Sequence, residues 1–537
     1  MTPFHFFSHL FAALCTLAAP THDSQALLNG LPSPPFTPSD PSSIPQLPQT
    51  ENTTVLILGG GLAGLSAAHA LATEYNITDY LIVEAQRFLG GRLHSVPFGL
   101  DQATGKPYLV EAGANWVHGV ENPSTGLVNP IWTLVRQLGL NATPSASGLV
   151  PEAFDRQGRV DVSRVWEEWE KAWEKFLLLG RERQARGDGD MTARAGLRIA
   201  GWTPGDHIRR SVEFWNFDME SQQNPDESSW FEIANNHYHT YHGFSDEEYL
   251  IHDPRGFVAI ATEPYFSLPA ERRGRLLLGE PVRELHYSDQ GVEAVLDGKR
   301  VRAEYAICTF SVGVLQSKAV TFHPPLPRWK SDAIDGFSMS TYTKIFLQFS
   351  SKFWAESEFQ LYASPRRGYY AQFQSLDVPG FLEGSRILFT TLTDEESVRV
   401  EGMRDEEVKQ EVLEVLREMY GAENVSECTA FYFHRWHANP YTRGSYSNWP
   451  ASYLPAAQTN LRAALSARLL FAGEATSYEY LGYLQGAWTE GRKAAQGVAR
   501  CLLSEGERGC LKQDWWEQIT AGQGGGRQWQ KKEVGEG

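Results

Sequence analysis

The stretch Val55–Ala68, V-L-I-L-G-G-G-L-A-G-L-S-A-A, constrains this chain more than any other. Four apolar residues, Val55 to Leu58, read as a buried parallel strand. Gly59, Gly61 and Gly64 follow as G-x-G-x-x-G, and an Ala/Leu-rich helix starts at once. The glycines serve three ends, namely a tight turn, close approach of backbone to a pyrophosphate, and close packing of helix on strand. The helix N-terminus offers unpaired N–H groups and a partial positive charge to that pyrophosphate. A second strand, Tyr80–Val83, ends at Glu84, 20 residues after Gly64. An acidic side chain there accepts hydrogen bonds from an adenosine ribose. The pattern predicts a dinucleotide site.

Gly90-Gly91-Arg92 comes next and brings bare backbone and a guanidinium close to phosphates. A nicotinamide enzyme does not need this second element, whereas a flavin dinucleotide held along more of the chain does. In Glu111–Gly119, E-A-G-A-N-W-V-H-G, the small residues suit backbone passing a flat ring, and Trp116 and His118 share a face if the segment is extended. Val165–Arg183 and Ile208–Met219 have helical spacing, the second leading to Glu220 in an acidic, Ser-rich loop. Leu276–Gly279, Pro281–Tyr287, Gly291–Leu296 and Val301–Phe310 have β character and return the chain to the first sheet. Tyr342–Phe349 alternates, with Tyr342, Lys344, Phe346 and Gln348 on one face. If that face lines a pocket, Lys344 is desolvated and its pKa falls. Glu406–Tyr420 is an amphipathic helix. Leu469–Glu474 is a short strand ending in Gly473-Glu474, and Gly482 opens a helix to about Leu503, a second strand–turn–helix.

The 537 residues suffice for two or three domains, and the net charge of −17 disfavours nucleic acid and anionic membranes while attracting cationic ligands. Leu10–Ala19 is apolar, ends in small residues and is too short to span a bilayer, so residues 1–19 read as a secretory signal peptide. Sequons at Asn52, Asn76, Asn141 and Asn424 agree with a secreted, extracellular glycoprotein. Leu31–Pro48 carries seven prolines, so residues 20–52 read as a linker. Residues 506–537 read as a disordered tail. Cys308, Cys428, Cys501 and Cys510 allow three pairings; Cys501 with Cys510 closes a short loop, and four free thiols fit as well. No metal-ligand spacing appears.

Taken together, V-L-I-L-G-G-G-L-A-G-L, V-E-A-x-x-x-x-G-G-R, G-A-N-W-V-H-G, Y-T-K-I-F-L, G-S-Y-S-N-W-P and F-A-G-E…G-Y-L-Q-G-A resemble the flavin-dependent amine oxidase family, and within it the polyamine oxidases, from about Val55 to Leu502. The resemblance implies an α/β fold: a Rossmann-type FAD-binding domain from residues 53–140, 250–320 and 430–505, with an inserted α+β substrate domain from 141–249 and 321–429. It implies that Gly59, Gly61, Gly64, Glu84, Arg92, Val282, Gly473, Glu474 and Tyr483 hold FAD. Lys344 would hold a water at flavin N5, and Tyr446 and Tyr483 would form an aromatic cage, with Trp116, His118 and Glu220 nearby. Plant extracellular relatives carry a glutamate where His118 stands, which leaves free and acetylated polyamines both open as substrates. Ser445 stands where monoamine oxidases bind flavin through a cysteine, so FAD is expected to be non-covalent. The expected partners are a polyamine and O2, with no nucleic acid and no membrane insertion. Rival readings are a monoamine or L-amino-acid oxidase, a desaturase-like flavoprotein, and a flavin-binding protein without turnover.

Overall fold

The computed structural model describes residues 50–146, 148–237, 243–504 and 510–511. The expected signal peptide, all but the last three residues of the linker, and the expected tail apart from residues 510–511 lie outside these. The apolar run Val55–Leu58 is the inner part of a strand, Thr50–Leu58, and is fully buried. It pairs in parallel with Tyr80–Glu84 on one side and Arg300–Cys308 on the other. Arg275–Leu278 extends the sheet beyond Tyr80–Glu84. Gly291–Val295, Glu284–Ser288 and Thr321–His323 extend it beyond Arg300–Cys308, and Leu469–Phe471 pairs in parallel with Ala306–Cys308. Sheet and helices form the expected α/β nucleotide-binding architecture.

Two of the three glycines have a steric task in the fold itself. Gly59 turns the chain at φ +110°, and a Cβ there would strike Thr309 Oγ1 at 2.4 Å. A Cβ on Gly64 would lie 2.0 Å from the Gly59 carbonyl oxygen, so only glycine lets the helix Leu62–Thr73 sit this close to the turn. Gly61 has φ −79°, and a Cβ there meets nothing nearer than Gly90 O at 3.8 Å. That side of the turn is open. The second glycine-rich helix, Leu484–Leu503, crosses the first: a Cβ on Gly491 would lie 2.1 Å from Ala63 O, and Ser66 Oγ donates to Trp488 O at 3.0 Å. Its N-cap residue is Tyr483, one place after the expected opening glycine. A disulfide joins Cys501 at its far end to Cys510, whereas Cys308 and Cys428 are free.

A second sheet runs in the order Cys428–Phe433, Tyr342–Phe349, Ile387–Thr393, Gln372–Ser375, Phe359–Tyr362, Glu152–Asp155, Gly158–Val160. It is antiparallel except where Phe359–Tyr362 meets Glu152–Asp155. Two boundaries need correction. Cys428–Phe433 belongs to this sheet, because it pairs with Tyr342–Phe349, although the expected nucleotide-domain segment begins at 430. Thr321–His323 belongs to the first sheet, although the expected second segment stops at 320. Both errors fall at strand ends, where apolar alternation does not reveal the partner. The helix Ser163–Ala185 buries Trp166, Trp169, Phe176 and Leu177 and so has a core face beside its wet one. The segment Ile208–Met219 is not one regular helix: a helix at His207–Glu213 gives way to a π-helical turn over Phe214–Asp218.

Gly64→Ala should lower the unfolding free energy by about 1–3 kcal/mol, because the obstacle is backbone and the overpacking outweighs the better helix propensity. Gly61→Ala should leave the flavin-free protein within about 0.5 kcal/mol of wild type while weakening dinucleotide binding. Urea unfolding of both apoproteins and flavin titration check the pair; equal stability of Gly64→Ala would contradict the packing argument.

Candidate active site

A cavity of ≈ 1060 Å³ starts at the first glycine turn and runs between the two sheets. At one end it is lined by Gly59, Gly61, Glu84, Gly90 to Arg92, Val282 and Thr309. The Glu84 carboxylate is fixed there by two backbone donors, Gly60 N and Gln86 N, each at 2.7 Å. Burial raises its pKa against the pull of those hydrogen bonds. Arg92 lines the cavity too, with Nη1 donating to Glu474 Oε1 at 2.8 Å and to Ser445 O at 2.9 Å. Glu474 also accepts from Ser447 Oγ at 2.9 Å and from Gly482 N at 3.0 Å. One carboxylate thus ties the Gly90–Arg92 segment, the Gly482 turn and the Ser445–Ser447 loop together.

These surroundings fit FAD. Gly61 and Gly473 both line the cavity; a Cβ on Gly473, at φ +142°, would meet nothing within 4 Å, and one on Gly61 nothing within 3.8 Å. Bare backbone therefore faces open space at both turns, as a dinucleotide laid along them needs. Trp116 lines the far end, and its buried Nε1 has no hydrogen-bond partner among the described residues, which leaves a donor for a bound polar group. Ser445, in the position where a cysteine would tether flavin, has its hydroxyl on the backbone of Tyr342, accepting from N at 2.8 Å and donating to O at 3.1 Å.

Lys344 lies deep in this cavity, 4% exposed. Its Nζ donates to Glu111 O at 3.2 Å, Gly113 O at 2.5 Å and Asn115 Oδ1 at 2.6 Å. It lies 5.6 Å from the Trp116 ring and 5.9 Å from that of Phe389. Burial pulls its pKa down to about 7 against the opposing charge of Glu111. The Glu111 carboxyl is itself pushed up to about 7 by burial, although Phe257 N and Ser95 Oγ both donate to it at 2.7 Å. The lysine thus ends in a group able to gain or lose a proton near neutrality.

Beside it the cavity is walled by aromatic and acidic groups. Tyr446 lies in the short strand Tyr446–Asn448 and Tyr483 at the N-cap of the second helix. Glu220 links them: its carboxylate accepts from Tyr483 Oη, and its backbone oxygen accepts from Tyr446 Oη at 3.4 Å. His118 packs edge-on against Tyr483, ring centroids 5.7 Å apart. Its Nδ1 lies 2.5 Å from Glu248 Oε1. This pair follows from strand register, since Trp116–His118 pairs antiparallel with Glu248–Ile251 and sets His118 opposite Glu248. Burial lowers the His118 pKa, but the charge and hydrogen bond of Glu248, with Glu220 behind them, leave it raised overall. The expected substrate-side residues Trp116, His118, Glu220, Tyr446 and Tyr483 therefore line one end of the cavity with Lys344.

Sequence reading misses three features. Glu248 is not marked as the partner of His118; the signal available is Glu247–Ile251, E-E-Y-L-I, two acidic residues leading into a short apolar run. The acceptors of Lys344 are mostly backbone oxygens, for which no residue type is a signal. The π-helical turn is held by a buried ionic cluster: Arg194 is bidentate to Glu213 at 2.5 and 2.7 Å, and Arg367 pairs with Glu213 and Asp218, each at 2.5 Å. Burial raises Asp218 to about 7 despite Arg367. The turn carries Trp215, Asn216 and Phe217 into the cavity wall and delivers Glu220 to Tyr483.

Comparison with known proteins agrees with this arrangement. Residues 62–499 match the family model described as flavin containing amine oxidoreductase. Polyamine oxidase 1 of Zea mays is 34% identical over 85% of this chain and 92% of its own length. Polyamine oxidase 7 of Oryza sativa subsp. japonica is 35% identical over 84% and 96%. Among solved structures, wild-type putrescine oxidase bound to putrescine superposes with a TM-score of 0.66 at 18% identity, covering 84% of this chain and 99% of that one. Cyclohexylamine oxidase from Brevibacterium oxydans IH-35A gives 0.65 at 19% over the same shares. With its glycine turns, buried lysine and tyrosine-walled cavity now set beside these relatives, the chain belongs to the flavin containing amine oxidoreductase family and is an FAD-dependent amine oxidase.

Proposed function

We propose that this chain is a polyamine oxidase that oxidises a secondary amine of spermine, spermidine or an acetylated derivative. The observation that carries the substrate class is the wall formed by Tyr446, Tyr483, Glu220 and the His118–Glu248 pair, set next to Lys344. Aromatic faces and carboxylates attract a polycation, and methylene spacers lie well against rings. Glu170 and Glu174 add acidic groups to the same lining. An amino acid as substrate needs a guanidinium for its carboxylate. Among the described residues the arginines lining the cavity are Arg92 and Arg283, the first on Glu474 and the second beside Val282 on Asp297, both toward the nucleotide end.

FAD, when bound, supplies the two-electron acceptor for hydride from the carbon next to the amine nitrogen and passes the electrons to O2, giving H2O2. The protein's part is positioning, desolvation and proton handling. Tyr446 and Tyr483 fix the approach of the amine. A cationic nitrogen has no lone pair to drive hydride loss, so the reacting nitrogen must be neutral while remote ones stay charged toward Glu220 and Glu248. As pH rises past about 7, Lys344 Nζ loses a proton and gains a lone pair for a water. A water bound to that lone pair would serve the chemistry beside the flavin and the hydrolysis of the imine, which gives an aldehyde and a shorter amine.

The Ser445 hydroxyl, held on Tyr342 backbone, supports non-covalent FAD. The apolar run Leu10–Ala19 and four exposed sequons, Asn52, Asn76, Asn141 and Asn424, support a secreted, extracellular glycoprotein. Among the described residues no helix is long and apolar enough to cross a membrane.

Purified enzyme should release peroxide with spermine, spermidine or N-acetylspermine at least roughly a hundredfold faster per kcat/KM than with benzylamine or leucine, and acid precipitation should leave yellow flavin in the supernatant. A preference for benzylamine or leucine, or flavin in the pellet, would contradict the reading. In Glu248→Gln, burial acts on His118 unopposed by that charge. The rise of kcat/KM that accompanies His118 deprotonation should then shift to lower pH, with KM for spermidine up roughly tenfold at pH 7. A pH–rate profile unchanged from wild type would remove Glu248 from substrate recognition.

A further inference from the structure

Outside the cavity, the far end of the first sheet brings three metal-ligating side chains together. Glu284 and His286 stand two residues apart on the strand Glu284–Ser288 and so point to the same face. The strand Thr321–His323 runs parallel beside it, in a register that sets His323 opposite His286. The two imidazoles stack with centroids 4.5 Å apart. Glu284 Oε2 lies 2.9 Å from His286 Nε2 and 3.7 Å from His323 Nε2, and one ligand atom from each residue falls within 4.8 Å of the others. None of the three lines the cavity.

We infer that Glu284, His286 and His323 form a binding site for one divalent transition-metal cation of the zinc, nickel and copper class. Ligands about 2.1 Å from a tetrahedral ion sit roughly 3.4 Å from one another. The observed 2.9 and 3.7 Å bracket that spacing; because the two rings stack only 19° from parallel, the exposed His323 side chain must swing out of the stack for both nitrogens to aim at one ion. Two imidazoles and one carboxylate suit borderline cations and not calcium or magnesium, which want more oxygens. The frame is rigid because both strands are sheet-paired: on its other side His286 faces Glu293, whose carboxylate is already held by Arg300 and Arg302. The negative charge that meets a cation is therefore that of Glu284. Water completes the coordination at this exposed face. The ion would staple the strand Thr321–His323 to its neighbour and stabilise the end of the sheet, away from the chemistry.

The test is isothermal titration of untagged, chelator-treated and dialysed holoenzyme with ZnCl2 and NiCl2. One site per chain is expected, together with a rise in Tm at saturating zinc. His286→Ala and His323→Ala should each weaken binding at least roughly tenfold, with flavin absorbance and oxidase rate unchanged. Glu284→Gln should weaken it as well. No saturable binding, or wild-type affinity retained in the double variant His286→Ala/His323→Ala, would overturn the assignment.

Discussion

A single buried amine holds the two halves of this site in register. Lys344 stands on the antiparallel sheet and reaches across to Glu111 O, Gly113 O and Asn115 Oδ1, which precede the strand carrying His118. Placing an ammonium in so dry a position costs several kcal/mol unless its protons are matched. Three acceptors match them, and the residual penalty appears as a pKa lowered to about 7. The contact that aligns the sheets is thus the same one that makes the group chemically useful at neutral pH.

The rest of the geometry follows from close backbone approaches that only glycine permits. Gly64 brings the first helix onto its turn, and Gly491 brings the second helix onto the first. Their N-termini then border one cavity, with Glu474 bonded to Arg92 of the Gly90–Arg92 segment and to Gly482 N before the second helix. Acidic groups collect on the opposite wall, where Glu220 engages Tyr483 of the cage and Glu248 engages His118 beside it. The dinucleotide end is built from backbone donors and the amine end from π faces and carboxylates. The two ligands therefore do not compete for the same chemistry.

Much of this is legible in the residues themselves. The apolar run before the glycines reads as a central strand because parallel strands are buried on both faces. Lys344 is visible as a cation among aromatics in an alternating strand, and the two tyrosines through their motifs. What stays hidden depends on pairing between distant segments. His118 and Glu248 meet only because two short strands align. Arg92 reads as a phosphate ligand, and its bonds to Glu474 and Ser445 need the folded loop to be seen. The π-helical turn carries no signal in apolar spacing, because it is set by the buried Arg194–Glu213–Arg367–Asp218 cluster. The His286–His323 pair likewise appears only when the edge strand is laid in register.

The most direct test of this account is stopped-flow reduction of the bound flavin by spermidine, followed from about pH 5 to 9 in wild type and in Lys344→Met. Wild type should show an ionisation near 7 that the variant lacks, and the variant should turn over at least roughly tenfold more slowly with its flavin absorbance retained. Equal rates and superimposable pH dependence in the two proteins, for this reduction and for reoxidation of the reduced flavin by O2, would show that the buried lysine takes no part in the chemistry.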